Sequence, residues 1–84
     1  MYIVYILQSD KDERTYTGYT HDIQKRLQEH NSGSVNATKN RRPLKILYTE
    51  ETKNLSEAKK REFYWKSGAG RRKMRELFFN KGSW

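Results

Sequence analysis

Apolar residues crowd into the opening of the chain. In Tyr2-Ile3-Val4-Tyr5-Ile6-Leu7 both alternating sets are apolar, Tyr2, Val4 and Ile6 on one face and Ile3, Tyr5 and Leu7 on the other. A strand of that kind is covered on both sides, which places it centrally in a sheet. The polar run Ser9-Asp10-Lys11-Asp12-Glu13 turns the chain, and Arg14-Thr15-Tyr16-Thr17 returns as a β-branched and aromatic strand that Gly18 ends. The two form an antiparallel hairpin.

The period then changes. Thr20 or Asp22 caps a helix expected to run to about Asn31, with Ser32-Gly33 as its stop signal. Ile23 and Leu27 are spaced by four, and Arg26 and His30 share the edge of the face that they bury. From Ser32 to Pro43 there is no apolar period, and Lys39, Arg41 and Arg42 make this a flexible basic loop. Leu44-Lys45-Ile46-Leu47-Tyr48-Thr49 is a third strand, opened by a proline where one is tolerated. A second helix starts near Asn54 or Ser56, with Asn54 and Glu57 at capping-box spacing, and continues to about Lys66. Ser67-Gly68-Ala69-Gly70 breaks it, and Arg71 to Phe79 forms a last, short helix; Phe78, Phe79 and Trp84 pack that end of the chain. The pattern predicts an α/β fold of the α+β kind: a three-stranded antiparallel sheet flanked by helices, in the order β-β-α-β-α with a short C-terminal helix.

One position breaks the apolar logic. Leu55, Ala58 and Trp65 form a stripe on the second helix, and Glu62 falls on it, four residues after Ala58 and three before Trp65. A carboxylate there requires a cation, whether Arg, Lys or a metal ion. A pair between Arg26 and Glu62 would satisfy it without metal.

Composition narrows the partners. The 84 residues are read as one domain over positions 1–84, with a basic C-terminal segment from about residue 67. With 18 Lys and Arg against 10 Asp and Glu, the formal charge is +8, and such a field attracts polyanions, of which nucleic acid is the usual one in a cell. The absence of cysteine excludes a disulfide framework and a thiolate zinc site. The apolar opening lacks a basic lead-in and is too short to span a bilayer, so no membrane association and a cytoplasmic location are expected.

Order and spacing resemble those of the GIY-YIG nuclease domains, in particular the small single-domain members grouped as the UPF0213 family. Ile3-Val4-Tyr5 stands where that family has Gly-Ile-Tyr, and Tyr16-Thr17-Gly18 where it has Tyr-Ile-Gly. The segment from Asp22 to Asn31 stands for the arginine-bearing helix, and Ser56-Glu57-Ala58-Lys59-Lys60-Arg61-Glu62 for the segment that ends in the metal-binding glutamate. The first motif lacks its glycine. Where the family tends to carry a late asparagine this chain has Met74, with Asn80 further on.

The resemblance implies a metal-dependent endonuclease that hydrolyses DNA phosphodiester bonds, with repair or recombination as its setting. It implies that Tyr5 and Tyr16 lie side by side and orient or deprotonate the attacking water, that Arg26 clamps the scissile phosphate, and that Glu62 holds one Mg²⁺ or Mn²⁺. His30, with an unperturbed pKa near 6.5, either relays the proton from Tyr5 or bonds the phosphate. A phenol with an unperturbed pKa near 10 needs cations beside it to act as the base. Lys39, Arg41, Arg42, Lys66, Arg71, Arg72, Lys73 and Arg75 are expected to grip phosphates without reading bases. The alternative is a non-catalytic, basic nucleic-acid-binding module or adaptor on the same scaffold.

Overall fold

The doubly apolar strand takes the middle of the sheet. β1 (Tyr2–Ser9) lies between β2 (Thr15–Thr20) and β3 (Leu44–Thr52), antiparallel to both. In this computed structural model residues 1–79 are described; Asn80 and Trp84, singled out above, lie outside the described residues. Val4 and Ile6 pack with Ala58, Trp65 and Met74 on one face, while Tyr5 and Leu7 pack with Leu44, Tyr16, Ile23 and Leu27 on the other. Each fully buried side chain of this size contributes roughly 1.5–3 kcal/mol, so these two half-cores hold the sheet.

β2 does not end at Gly18, which pairs with Tyr5 inside a strand that continues to Thr20. The glycine is there for space. A Cβ at position 18 would lie 2.6 Å from the Tyr5 hydroxyl oxygen and 2.8 Å from its Cζ, so the Tyr5 ring lies across bare backbone. In the turn before it, Glu13 adopts φ 61°, a left-handed conformation unusual for a residue with a side chain. Ser9 holds that turn: its Oγ accepts from the backbone N–H groups of Lys11 (3.0 Å) and Asp12 (3.2 Å) and donates to the Arg41 carbonyl (2.6 Å).

Helix α1 (Ile23–Ser32) begins at Asp22, whose Oδ1 accepts from Lys25 N (3.1 Å), and ends at Gly33 with φ 88°, where the N–H turns back to the carbonyls of Glu29 and His30. The basic loop that follows is structured. It carries a 3₁₀ turn, Lys39–Arg41, and buries Thr38 completely.

Helix α2 (Leu55–Lys66) is capped by Asn54, whose Oδ1 accepts from Glu57 N (2.9 Å); Glu57 reaches back to Lys53 N, one residue beyond the expected capping box. Ala58 and Trp65 are buried, but Leu55 is exposed and does not belong to the stripe. The last helix begins before Arg71. α3 (Gly68–Met74) starts within the glycine run, because Ser67 both ends α2, donating to the Tyr64 carbonyl (2.6 Å), and caps α3, accepting from Gly70 N (3.2 Å). Gly70 allows the two helices to meet: a Cβ would run into the Tyr64 carbonyl and lie 2.6 Å from Trp65 Cα. A π-type turn, Arg75–Phe79, follows, with Phe78 packed on Tyr48 at 5.7 Å between centroids.

β3 meets α2 through Glu50. Its carboxylate accepts from Arg61 Nε (2.5 Å) and Nη2 (3.2 Å), Tyr48 hydroxyl (2.9 Å) and Trp65 Nε1 (3.3 Å). Burial opposes its ionisation, but those four donors outweigh burial and hold the carboxyl below its ordinary value. The acid that apolar surroundings force to find a cation is therefore Glu50, with a side chain 16% exposed, more than Glu62, at 26%. No helix among the described residues is long and apolar enough to cross a membrane.

Candidate active site

Tyr5 points from β1 toward α1, and two residues of that helix close on its hydroxyl. Arg26 Nε donates to the Tyr5 oxygen at 3.2 Å, and His30 Nε2 lies 3.1 Å from it. The spacing of four that puts Arg26 and His30 on one helix edge is what lets both reach a single atom. Beyond them the chain of polar contacts continues in both directions. Arg26 Nη1 donates to Glu29 Oε1 (2.9 Å), and His30 Nδ1 lies 2.8 Å from Thr38 Oγ1. Arg26 Nη2 has no hydrogen-bond partner among the described residues, and the side chain is 35% exposed.

Burial sets the protonation of this group. It pushes the Tyr5 phenol above its ordinary value; the hydrogen bond and charge of Arg26 pull the other way without overcoming it, and Tyr16 and Glu62 add to the rise. Arg26 alone therefore does not make Tyr5 a phenolate at neutral pH. The same burial, helped by the charge of Arg26 and opposed by Glu29, lowers the His30 pKa and keeps the ring neutral.

Tyr16 is diagonal to Tyr5 on the same face of the hairpin, since Leu7 pairs with Tyr16 and Tyr5 with Gly18. Its ring meets His30 edge-on at 5.0 Å between centroids, and His30 meets Tyr5 in the same way at 5.8 Å. The imidazole thus contacts both tyrosines. Glu62, on α2, pairs with Lys66 at 3.3 Å and not with Arg26, whose partner is Glu29. Its charge reaches Tyr5 without contact.

Tyr16 also lines a cleft of about 630 Å³ between edge strand β2 and the α2–α3 corner, where Arg14, Arg41, Lys66, Arg71 and Arg75 converge. The basic residues are thereby divided. Arg41, Lys66 and Arg71 share this cleft, Lys39 and Arg42 line a separate pocket with Lys11, and Arg72 and Lys73 are exposed on α3 away from both. Arg41 is partly committed, pairing with Asp12 at 3.4 Å. Arg14, Glu29 and Thr38 join the site without having been singled out in the sequence. Glu29 was legible as the residue three after Arg26; Thr38, eight residues from His30 in a loop without period, carried no signal.

Among the described residues no group of three or more His, Cys, Asp or Glu could cage a metal ion. Glu62 is a single half-buried carboxylate whose partner, Lys66, has a side chain 52% exposed. That donor set fits a hard ion such as Mg²⁺, which keeps several waters and takes its other ligands from a substrate phosphate.

These features coincide with a known family. The family model described as the GIY-YIG catalytic domain matches residues 1–75. A UPF0213 protein of Syntrophus aciditrophicus is 52% identical over 61 residues, covering 70% of this chain and 69% of the relative. One of Clostridium perfringens is 45% identical over 67 residues, covering 79% and 71%. The solution NMR structure of a UPF0213 protein from Bacillus halodurans superposes with a TM-score of 0.56 at 32% identity, covering 99% of this chain and 89% of that one. The chain belongs to the GIY-YIG nuclease domain family, among its small UPF0213 members.

Proposed function

We propose that the protein is a divalent-metal-dependent endonuclease that hydrolyses DNA phosphodiester bonds without reading sequence. The observation that carries this is the Tyr5 hydroxyl held between Arg26 Nε and His30 Nε2, beside Tyr16 and within the field of Glu62. Hydrolysis needs a water in line with the leaving oxygen, a group to manage its proton, and positive charge on the phosphoryl oxygens as the transition state forms.

Tyr5 and Tyr16 orient the water. Arg26 has Nη2 left over after bonding Tyr5 and Glu29, and this N–H group binds the scissile phosphate. Glu62 would hold a single Mg²⁺ or Mn²⁺, which would supply Lewis-acid chemistry when bound. The cations of the cleft next to Tyr16 hold the strand on one side of the cut.

The test is cleavage of labelled DNA of several structures with each metal ion. Glu62→Ala is expected to abolish cleavage, and Arg26→Ala to lower kcat on the order of 10²–10³-fold with DNA binding largely kept. Full activity in either variant would sink the assignment. Salt-sensitive DNA binding by the wild-type protein with no cleavage under either metal would instead make this a binding module on the GIY-YIG scaffold.

A further inference from the structure

We infer that Thr38 is a positioning residue: its hydroxyl donates to His30 Nδ1 and so fixes the imidazole as the tautomer whose Nε2–H points at the Tyr5 oxygen. The inference rests on the reading of Tyr5 as the group that meets the attacking water.

The argument is a count of protons. Thr38 Oγ1, the His30 ring and the Tyr5 hydroxyl are joined by two contacts, 2.8 Å and 3.1 Å long. A neutral imidazole carries one N–H proton and each hydroxyl one more, so three protons serve two contacts. One hydroxyl proton is left without an acceptor. Were the ring protonated on Nδ1, that proton would belong to Thr38, which is 0% exposed and whose hydroxyl has no partner but His30 among the described residues. An unsatisfied donor is most costly in such an enclosed place. With the ring protonated on Nε2, the leftover proton belongs to Tyr5, at the end of the chain where Arg26 is partly exposed and a water can take it.

The local backbone supports the assignment. Thr38 precedes the 3₁₀ turn, where a threonine hydroxyl commonly caps the turn, yet its side chain makes no capping bond there. The hydroxyl is committed to His30. The charged or titratable groups around the ring are Tyr5 on β1, Tyr16 on β2, and Arg26 and Glu29 on α1.

The consequence concerns mechanism. The Tyr5 oxygen faces two N–H donors, Arg26 Nε and His30 Nε2, so a phenolate formed by loss of its proton to solvent water at the Arg26 end meets dipoles already aligned. His30 then stabilises Tyr5 as a donor and does not take its proton.

The experiment is a long-range ¹H–¹⁵N correlation of the His30 ring in the protein without metal or DNA, assigned against a His21→Asn variant. Wild type and Thr38→Ser are expected to show one Nε2-protonated ring. Thr38→Val is expected to show a mixture of the two tautomers, since Nδ1 then lacks a hydrogen-bond partner in either form and nothing fixes the ring. In cleavage assays Thr38→Val lowers kcat without changing KM, and Thr38→Ser restores it. An Nδ1-protonated ring in the wild type overturns the proposal, as does an unchanged tautomer in Thr38→Val. Should the valine variant not fold, the wild-type and serine spectra decide. The spectra require no nuclease activity, so failure of the functional reading and failure of this one are told apart.

Discussion

Tyr5 can lie across β2 only because position 18 carries no side chain, so the Tyr-x-Gly pattern serves the site's geometry and not the end of a strand. Gly18→Ala is expected to displace the Tyr5 ring and break its contacts with Arg26 and His30. Activity should fall toward that of Tyr5→Phe while circular dichroism still reports the fold. His30 yields a second prediction. Its pKa is depressed in the folded protein, so the unfolded chain binds more protons once the pH drops below about 6.5. Stability therefore falls as the pH descends through that point and levels off when the folded ring is protonated too. Glu50, with its carboxyl held below the usual value, adds a separate loss only below about pH 4.5. In thermal melts between pH 8 and 5, His30→Gln should lack the first loss and keep the second at lower pH.

At the scale of elements, the α2–α3 corner depends on how closely two helices approach. Gly68 and Gly70 are both helical, yet their surroundings differ: a Cβ at 68 meets nothing within 4 Å, whereas one at 70 collides with the Tyr64 carbonyl. Gly68→Ala is expected to stabilise by up to about 1 kcal/mol through helix propensity. Gly70→Ala should destabilise by about 1–3 kcal/mol or more, because overpacking overrides that gain. Urea titration of the two variants checks both signs. Strand β3 and helix α2 are joined by the Glu50 cluster, in which the carboxylate is more buried than that of Glu62 beside Lys66. Glu50 sits on a strand, where its burial depends on Arg61, Tyr48 and Trp65 arriving from elsewhere.

For the whole molecule, the charge of +8 does not act as one uniform field. Folding gathers Arg14, Arg41, Lys66, Arg71 and Arg75 around the cleft beside Tyr16 and leaves Arg72 and Lys73 off it. Removing one cleft cation should reduce the slope of log K against log salt for DNA by about 0.7–0.9, the value of one lost phosphate contact. Arg71→Ala is expected to do so, with kcat at saturation little changed, and Arg72→Ala to have a smaller effect. Equal slopes for the two variants would remove the cleft from the binding surface.

What the sequence by itself determined was periodicity and local chemistry. The doubly apolar β1, a helix cap at Thr20 or Asp22, the stop at Gly33 and the shared edge of Arg26 and His30 follow from residues within one or two turns of each other, where covalent spacing leaves little choice. The tertiary structure alone decided what meets across the chain: Tyr5 over Gly18, Thr38 against His30, Arg26 and His30 on the Tyr5 hydroxyl, and the division of the basic residues. Those contacts depend on how a loop and two helices dock on the sheet. Docking is set by the summed packing of both half-cores, which no local window of sequence contains.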